Sequence, residues 1–147
     1  MLFSDVVQAS ETVRATRSRK TKIATLAALL SEAAPDELEP VVAWVSGELR
    51  QGRIGTGWRT LTNLNCDPSA LATLTVSSVD STLSELATTS GPGSTNRRKE
   101  LLRGLWTAAT ADQQAFLMRL LGGELRQGAL TAIVAEAVAV AAAVPIE

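Results

Sequence analysis

Histidine and tyrosine are absent from this 147-residue chain, and cysteine occurs only once, as Cys66. A single cysteine rules out an internal disulfide, and without histidine the chain has no His/Cys set spaced to hold zinc. The N-terminus also lacks a basic segment followed by a hydrophobic stretch and a cleavage site. We therefore expect a protein of the reducing cytoplasm that holds no metal or cofactor in this chain.

Aromatic residues make up only 3% of the chain, whereas alanine, leucine and valine dominate an apolar fraction of 46%. This balance favours closely packed helices over strands, and the length suffices for one core. The most apolar segment, residues 129–144, carries Glu136 and is shorter than the ~20 residues that span a bilayer. We predict an all-α fold that forms one compact domain.

One hexapeptide, Gly-Glu-Leu-Arg-Gln-Gly, occurs twice, at residues 47–52 and 123–128. The same offset aligns the apolar residues that precede it, and it aligns Asp36 with Asp112. Each copy consists of a basic stretch, an apolar helix, a short loop, a second apolar helix and a glycine-bracketed turn with an arginine. We predict two pseudo-repeated helical lobes within a single domain spanning 1–147. The predicted repeats are residues 17–55 and 93–131.

Apolar periodicity and capping patterns predict where the helices lie. Ser4 is the expected N-cap of the first helix, Gly47 is expected to end the third, and Pro145 is expected to stop the last. Two helices are expected to begin at capping boxes, Ser77-Ser-Val-Asp80 and Thr110-Ala-Asp-Gln113. The other predicted helices are 4–15, 18–33, 35–46, 58–64, 95–109 and 130–143.

Positive charges are clustered although the formal net charge is only −1. A basic run begins the first helix of each repeat, and further arginines lie in or near the two turns. A duplicated fold can gather such charges on one face, which a net charge does not reveal. The runs are Arg14, Arg17, Arg19, Lys20 and Lys22, and Arg97, Arg98, Lys99 and Arg103.

The second half of the chain follows a fairly specific order of basic loop, helix, helix and Gly-x-Leu-Arg-x-Gly turn. The order is carried by residues 89–99, 101–106 and 116–130. It resembles the N-terminal DNA-binding domain of bacterial-type ATP-dependent DNA ligases. The helix at 17–30 and the glycine-rich stretch 52–58 fit the same family.

The resemblance implies a non-catalytic domain that grips nicked duplex DNA through the minor groove and phosphate backbone, without sequence specificity, during replication and repair. It also implies a monomer that works with the ligase's own adenylation and OB-fold domains and does not bind a membrane. The expected location is the cytoplasm, in association with the nucleoid. None of Lys20, Lys22 and Lys99 begins the Lys-x-Asp-Gly motif of those enzymes. ATP and Mg²⁺ are therefore expected in catalytic domains that this sequence does not include.

The predicted DNA contacts combine glycines, hydroxyls and basic side chains. Glycine lets the main chain approach a phosphate, exposed amides can donate to it, and arginine offers a bidentate fork. Glu48 and Glu124 inside both turns depart from this basic character. The predicted contact residues are Gly47, Arg50, Gly52, Arg53, Gly55, Ser94, Thr95, Arg97, Arg98, Lys99, Gly123, Arg126 and Gly128.

Other interpretations fit parts of the same pattern. The two turns can serve only as helix C-caps, with each arginine paired to the neighbouring glutamate. A helical-repeat adaptor for a protein partner would need an exposed apolar groove. A glycosylase-like enzyme would need a catalytic Asp or Lys beside a base pocket, whereas Asp112 aligns with Asp36 as a helix-start residue. Trp44, Trp58 and Trp106 are expected in the core rather than on a base-stacking surface.

Overall fold

The structure, a computed structural model, describes residues 1–52, 54, 58–123 and 128–142, with only the backbone of 58, 128 and 129. The described residues form eight helices and no strand, which confirms the all-α prediction. None of these helices is long and apolar enough to cross a membrane. The helices are α1 (Phe3–Ala15), α2 (Arg19–Glu32), α3 (Leu38–Val45), α4 (Trp58–Thr62), α5 (Val76–Thr88), α6 (Ser94–Ala108), α7 (Ala111–Leu121) and α8 (Gly128–Ala141).

Two helices begin with a side-chain cap at the residue where the sequence predicts that the helix starts. The Ser18 hydroxyl accepts a hydrogen bond from the Thr21 amide at 3.2 Å and begins α2. Thr110 and Gln113 form a reciprocal capping box at α7. Both devices satisfy amide groups that a helix leaves without an internal partner.

Two predicted caps are wrong, and tertiary contacts explain both. Leu2, not Ser4, is the N-cap of α1, because the Phe3 amide donates to the Leu74 carbonyl at 2.9 Å. The capping box of α5 joins Thr75 and Ser78 rather than Ser77 and Asp80. Starting α5 earlier buries Val76 completely in the core.

The third helix begins later than predicted. Residues 35–37 form a turn before α3, and the Glu37 carboxylate accepts a hydrogen bond from the Ala34 amide at 2.8 Å. The same carboxylate pairs with the Met1 ammonium at 2.7 Å. The ammonium and the Ala34 amide together lower the pKa of Glu37. This tether fixes the turn and delays the start of α3.

The core surrounds α1, which contacts α2, α3 and α7. Phe3 meets Trp44 and Phe116 edge-on, with ring centroids 5.3 and 5.7 Å away. Trp44 and Trp106 are buried as predicted, whereas the side chain of Trp58 lies outside the described part of the chain.

Two helix pairs pack outside this centre. Helix α8 packs against α2, and α6 packs against α5. On α8, Ile133, Val134 and Ala137 are buried, whereas Val138 is 41% exposed. The division into two pseudo-repeated lobes stays a prediction, as does the role of Pro145, which lies outside the described residues.

Candidate nucleic-acid interface

The turn that follows α3 is a helix C-cap closed by backbone hydrogen bonds. Gly47 has a φ of 79°, and its amide donates to the Trp44 carbonyl at 3.0 Å. The Glu48 amide donates to the Ala43 carbonyl at 2.8 Å, which completes a Schellman motif. The prediction that Gly47 ends this helix is confirmed. At the other end of the turn, Gly52 has a φ of 72°, and no atom of a described residue beyond its chain neighbours lies within 4 Å of where a Cβ would stand.

The corresponding glycine after α7 has the same conformation. Gly123 has a φ of 75°, follows the C-cap Gly122, and donates its amide to the Leu120 carbonyl at 3.3 Å. Gly128, predicted at the end of the turn, is the first residue of α8. The predicted contacts Arg53, Gly55 and Arg126, with Gly57 and Glu124, lie outside the described residues.

Arg50 pairs with Asp80 on α5 rather than with its neighbour Glu48. The Arg50 Nε lies 2.8 Å from Asp80 Oδ1, and Nη2 lies 2.8 Å from Oδ2. Nη2 also donates to the Ser84 hydroxyl at 3.0 Å, and the adjacent Gln51 amide donates to Asp80 Oδ1 at 2.8 Å. Hydrogen bonding to Asp80 raises the pKa of Arg50. The alternative of a glutamate-paired arginine is therefore wrong for the first turn.

Helix α6 begins with exposed amides. Its N-cap is Gly93, with a φ of 80° and no side-chain cap. The Ser94 amide donates to the Gly91 carbonyl at 3.1 Å, whereas the Thr95 and Asn96 amides have no acceptor within the described part of the chain. Ser94 is half-buried, and Thr95 is exposed. Such a helix start carries partial positive charge that suits an anion.

The three basic residues that follow have different roles. Arg97 forms exposed ion pairs with Glu85 at 3.0 Å and Glu100 at 3.6 Å. Arg98 is half-buried and donates to the backbone carbonyls of Leu86, at 2.7 Å, and of Ile54. Lys99 is exposed and forms no ion pair with any described residue. Arg98 therefore links Ile54, which follows the first turn, to Leu86 of α5. Lys99 has no such partner among the described residues.

Helix α5 brings the first turn and the start of α6 together. Asp80 and Ser84 hold Arg50, and Glu85, one residue further along, pairs with Arg97. The Leu86 carbonyl then accepts from Arg98. The sequence predicts Asp80 only in a capping box and does not predict Ser84 at all, although their spacing of four residues places both on one helix face.

The first basic run lies elsewhere, from the end of α1 to the start of α2. Arg14 pairs with Glu11 at 3.3 Å, and Arg19 pairs with Glu136 of α8. Arg17, Lys20 and Lys22 form no ion pair with any residue in the described ranges. Ile23, Ala24 and Val140 line a shallow apolar groove between α2 and α8, and Arg19, Lys20 and Glu136 border it. In the described residues, no group of acidic or cysteine side chains is arranged to hold a metal ion.

Comparison with known proteins gives one family. The model of the DNA ligase N terminus matches residues 60–139. The chain is 68% identical over 147 residues to a probable DNA ligase of Nocardia farcinica, an alignment that covers all of this chain and 28% of the relative. It is 55% identical to a probable DNA ligase of Rhodococcus opacus, with coverage of 100% and 29%. It is 52% identical to DNA ligase B of Mycobacterium tuberculosis, with coverage of 99% and 29%.

Proposed function

This chain belongs to the DNA ligase N terminus family, and we propose that it binds nicked duplex DNA through the phosphate backbone to support nick sealing. The observation that carries the proposal is the arrangement around α5, because the turn at 47–52 and the start of α6 both contact this helix, and Arg98 of α6 donates to the Ile54 carbonyl just beyond the turn. Each region has donors that suit phosphate oxygens. Two adjacent donor sets suit a polyanion better than one.

At the start of α6, the proposed donors are backbone amides and a lysine. The Thr95 and Asn96 amides have no internal acceptor among the described residues, and Ser94 and Thr95 add hydroxyls in the same helical turn. Lys99 adds an uncommitted positive charge on the same helix. Arg97 can exchange its exposed carboxylate partners for a phosphate, since such surface pairs contribute little.

At the turn, the proposed approach is through open backbone. At Gly52, and likewise at Gly91, Gly93 and Gly123 outside this turn, no atom of a described residue beyond the chain neighbours lies within 4 Å of where a Cβ would stand, so these glycines leave room for a phosphate beside the main chain. Donors of this kind read phosphates and carry no base information. We therefore propose backbone and minor-groove binding without sequence specificity.

The remaining sequence-predicted contacts belong to the same proposal. Gly47 shapes the first turn, and Arg98 fixes its following segment to α5. Arg53, Gly55, Arg126 and Gly128 are proposed as further contacts from the sequence motif.

The chain spans 28% to 29% of the length of the relatives compared above. We propose that adenylation and OB-fold domains in the rest of such a protein supply ATP and Mg²⁺ chemistry, as in an ATP-dependent DNA ligase. On this proposal the chain acts as a monomer in the cytoplasm, associated with the nucleoid. Its own contribution is to hold the nicked duplex for those domains.

A protein-binding adaptor is the second candidate, favoured by the apolar groove between α2 and α8. Val138 and Val140 of α8 are 41% and 51% exposed, and Val140 lines the groove. An apolar interface depends weakly on ionic strength, whereas phosphate binding releases counterions. Salt dependence therefore separates the two candidates.

The test is a titration of the 147-residue chain with a fluorescein-labelled nicked duplex at several salt concentrations. We expect log Kd to rise linearly with log salt, with a slope of about 0.9 for each phosphate contacted. Lys99→Ala should lower that slope by about 0.9, whereas the matched control Lys20→Ala, beside the α2–α8 groove, should change it less. No binding at low salt, or binding that ignores salt, would overturn the proposal.

A further inference from the structure

Arg50 has an unusual set of partners for a residue proposed to contact DNA. Its guanidinium is held side-on by Asp80, through Nε to Oδ1 at 2.8 Å and Nη2 to Oδ2 at 2.8 Å. The second Nη2 hydrogen has an acceptor in Ser84 Oγ at 3.0 Å. Arginine has five N–H donors, and this arrangement leaves the two on Nη1 without a partner among the described residues.

We propose that Asp80 and Ser84 are positioning residues that orient Arg50, so that its Nη1 hydrogens and the Ser84 hydroxyl bind one phosphate of the DNA backbone. The inference rests on the proposed function and adds a defined phosphate site to it. The ligand is a phosphodiester with two oxygens free to accept hydrogen bonds.

The Asp80 carboxylate is stabilised by more than Arg50. Gln51 Nε2 donates to Asp80 Oδ1 at 2.8 Å and to Ser84 Oγ at 3.0 Å. The carboxylate therefore accepts from two side chains, and only 17% of the Asp80 side chain is exposed. The Arg50 side chain is 34% exposed, twice the exposed fraction of the Asp80 side chain.

The Ser84 hydroxyl also keeps a donor that the described residues do not use. Its oxygen accepts hydrogen bonds from both Arg50 Nη2 and Gln51 Nε2. Its own hydrogen has no acceptor among the residues that the structure describes. A hydroxyl with both lone pairs engaged can still donate one hydrogen bond.

Asp80 orients the arginine better than it competes with a phosphate. A phosphate that replaced Asp80 would leave a mostly covered carboxylate beside a second negative charge. A phosphate bound at Nη1 keeps every existing hydrogen bond, and the side chain is already ordered before binding. Pre-ordered donors lose less conformational freedom when a ligand arrives.

The test measures binding of the same labelled nicked duplex to variants of the 147-residue chain. Arg50→Ala should weaken binding about tenfold and lower the salt slope by about 0.9, as expected for one lost charge-assisted contact. Asp80→Asn should weaken binding about three- to tenfold and lower the slope similarly, although it removes a negative charge.

Glu85→Gln is the matched control, because it removes one negative charge from the same helix beside Arg97. It should leave DNA binding unchanged or make it tighter. In an Arg50→Ala background, Asp80→Asn should likewise cause no further weakening. This double-variant comparison separates the positioning of Arg50 from a general effect of charge.

Ser84→Ala covers the possibility that Asp80→Asn disturbs the fold, since it keeps the Arg50–Asp80 pair. It should weaken binding about threefold, with thermal unfolding unchanged. If Asp80→Asn tightens binding as Glu85→Gln does, Asp80 competes with phosphate and the inference is overturned. If the unaltered chain does not bind DNA, the proposed function itself fails, which is a separate result.

Discussion

The turn at 47–52 and the start of α6 rest on the same helix, but their positive groups are in opposite states. Arg50 of the turn is held by Asp80 and Ser84, whereas Lys99 and the Thr95 amide at α6 have no partner among the described residues. A donor that is held by partners has a fixed orientation, whereas a donor without partners can move to meet a phosphate. The comparison teaches that partners, rather than the number of charges, decide how each region can contact a phosphate.

Helix α5 supports both regions, so weakening its packing in the core should have the largest effect on stability and on DNA binding. Leu83 of α5 is fully buried, so Leu83→Ala should reduce the free energy of unfolding by about 2–5 kcal/mol. Chemical denaturation measures this, and DNA binding by both regions should weaken together. The control is Leu71→Ala, because Leu71 is 70% exposed and should change stability by less than about 0.5 kcal/mol. Equal effects of the two variants would mean that α5 does not anchor the fold.

The second prediction separates backbone geometry from side-chain charge at α6. Gly93→Ala places a Cβ at a φ of 80° and should destabilise the protein by about 1–2 kcal/mol. Gly104→Ala, in the same helix with open space around it, should instead stabilise it by about 0.5–1 kcal/mol. Thermal unfolding of both variants checks the sign. A neutral Gly93→Ala would show that the left-handed turn before α6 is not required.

The smallest expected effect on stability separates Arg50, which is held by an ion pair, from Lys99, which has no described partner. Arg50→Ala removes a partly exposed ion pair and should lower the free energy of unfolding by about 0.5–1 kcal/mol. Lys99→Ala removes no ion pair and should change it by less than about 0.5 kcal/mol. Urea unfolding compares the two variants directly. If both variants lose the same free energy of unfolding, the partners of Arg50 do not stabilise the fold.

Short-range signals were sufficient for most helices and for one end of the site. The helix predicted to begin at Ser18 and the capping box predicted at Thr110 both agree with the structure, because a helix cap needs only residues within the first turn. Gly47 ends α3 for the same reason, since its left-handed conformation is a local requirement. These predictions depend on neighbours along the chain.

The remaining features depend on distant residues. Thr75 and Ser77 both offer a hydroxyl near the start of α5, and the burial of Val76 decides in favour of Thr75. Arg50 finds its partner 30 residues away, so no local pattern identifies Asp80. Only the packing of α3 against α5 brings the turn to that carboxylate.

The most direct test of the account follows backbone amide NMR signals of the 147-residue chain as nicked duplex DNA is added. The account predicts the largest shifts at residues 50–52 and 94–99, with those of residues 138–141 on α8 nearly unchanged. Shifts confined to α2 and α8, with the signals of Gly52, Thr95 and Asn96 unmoved, would contradict it.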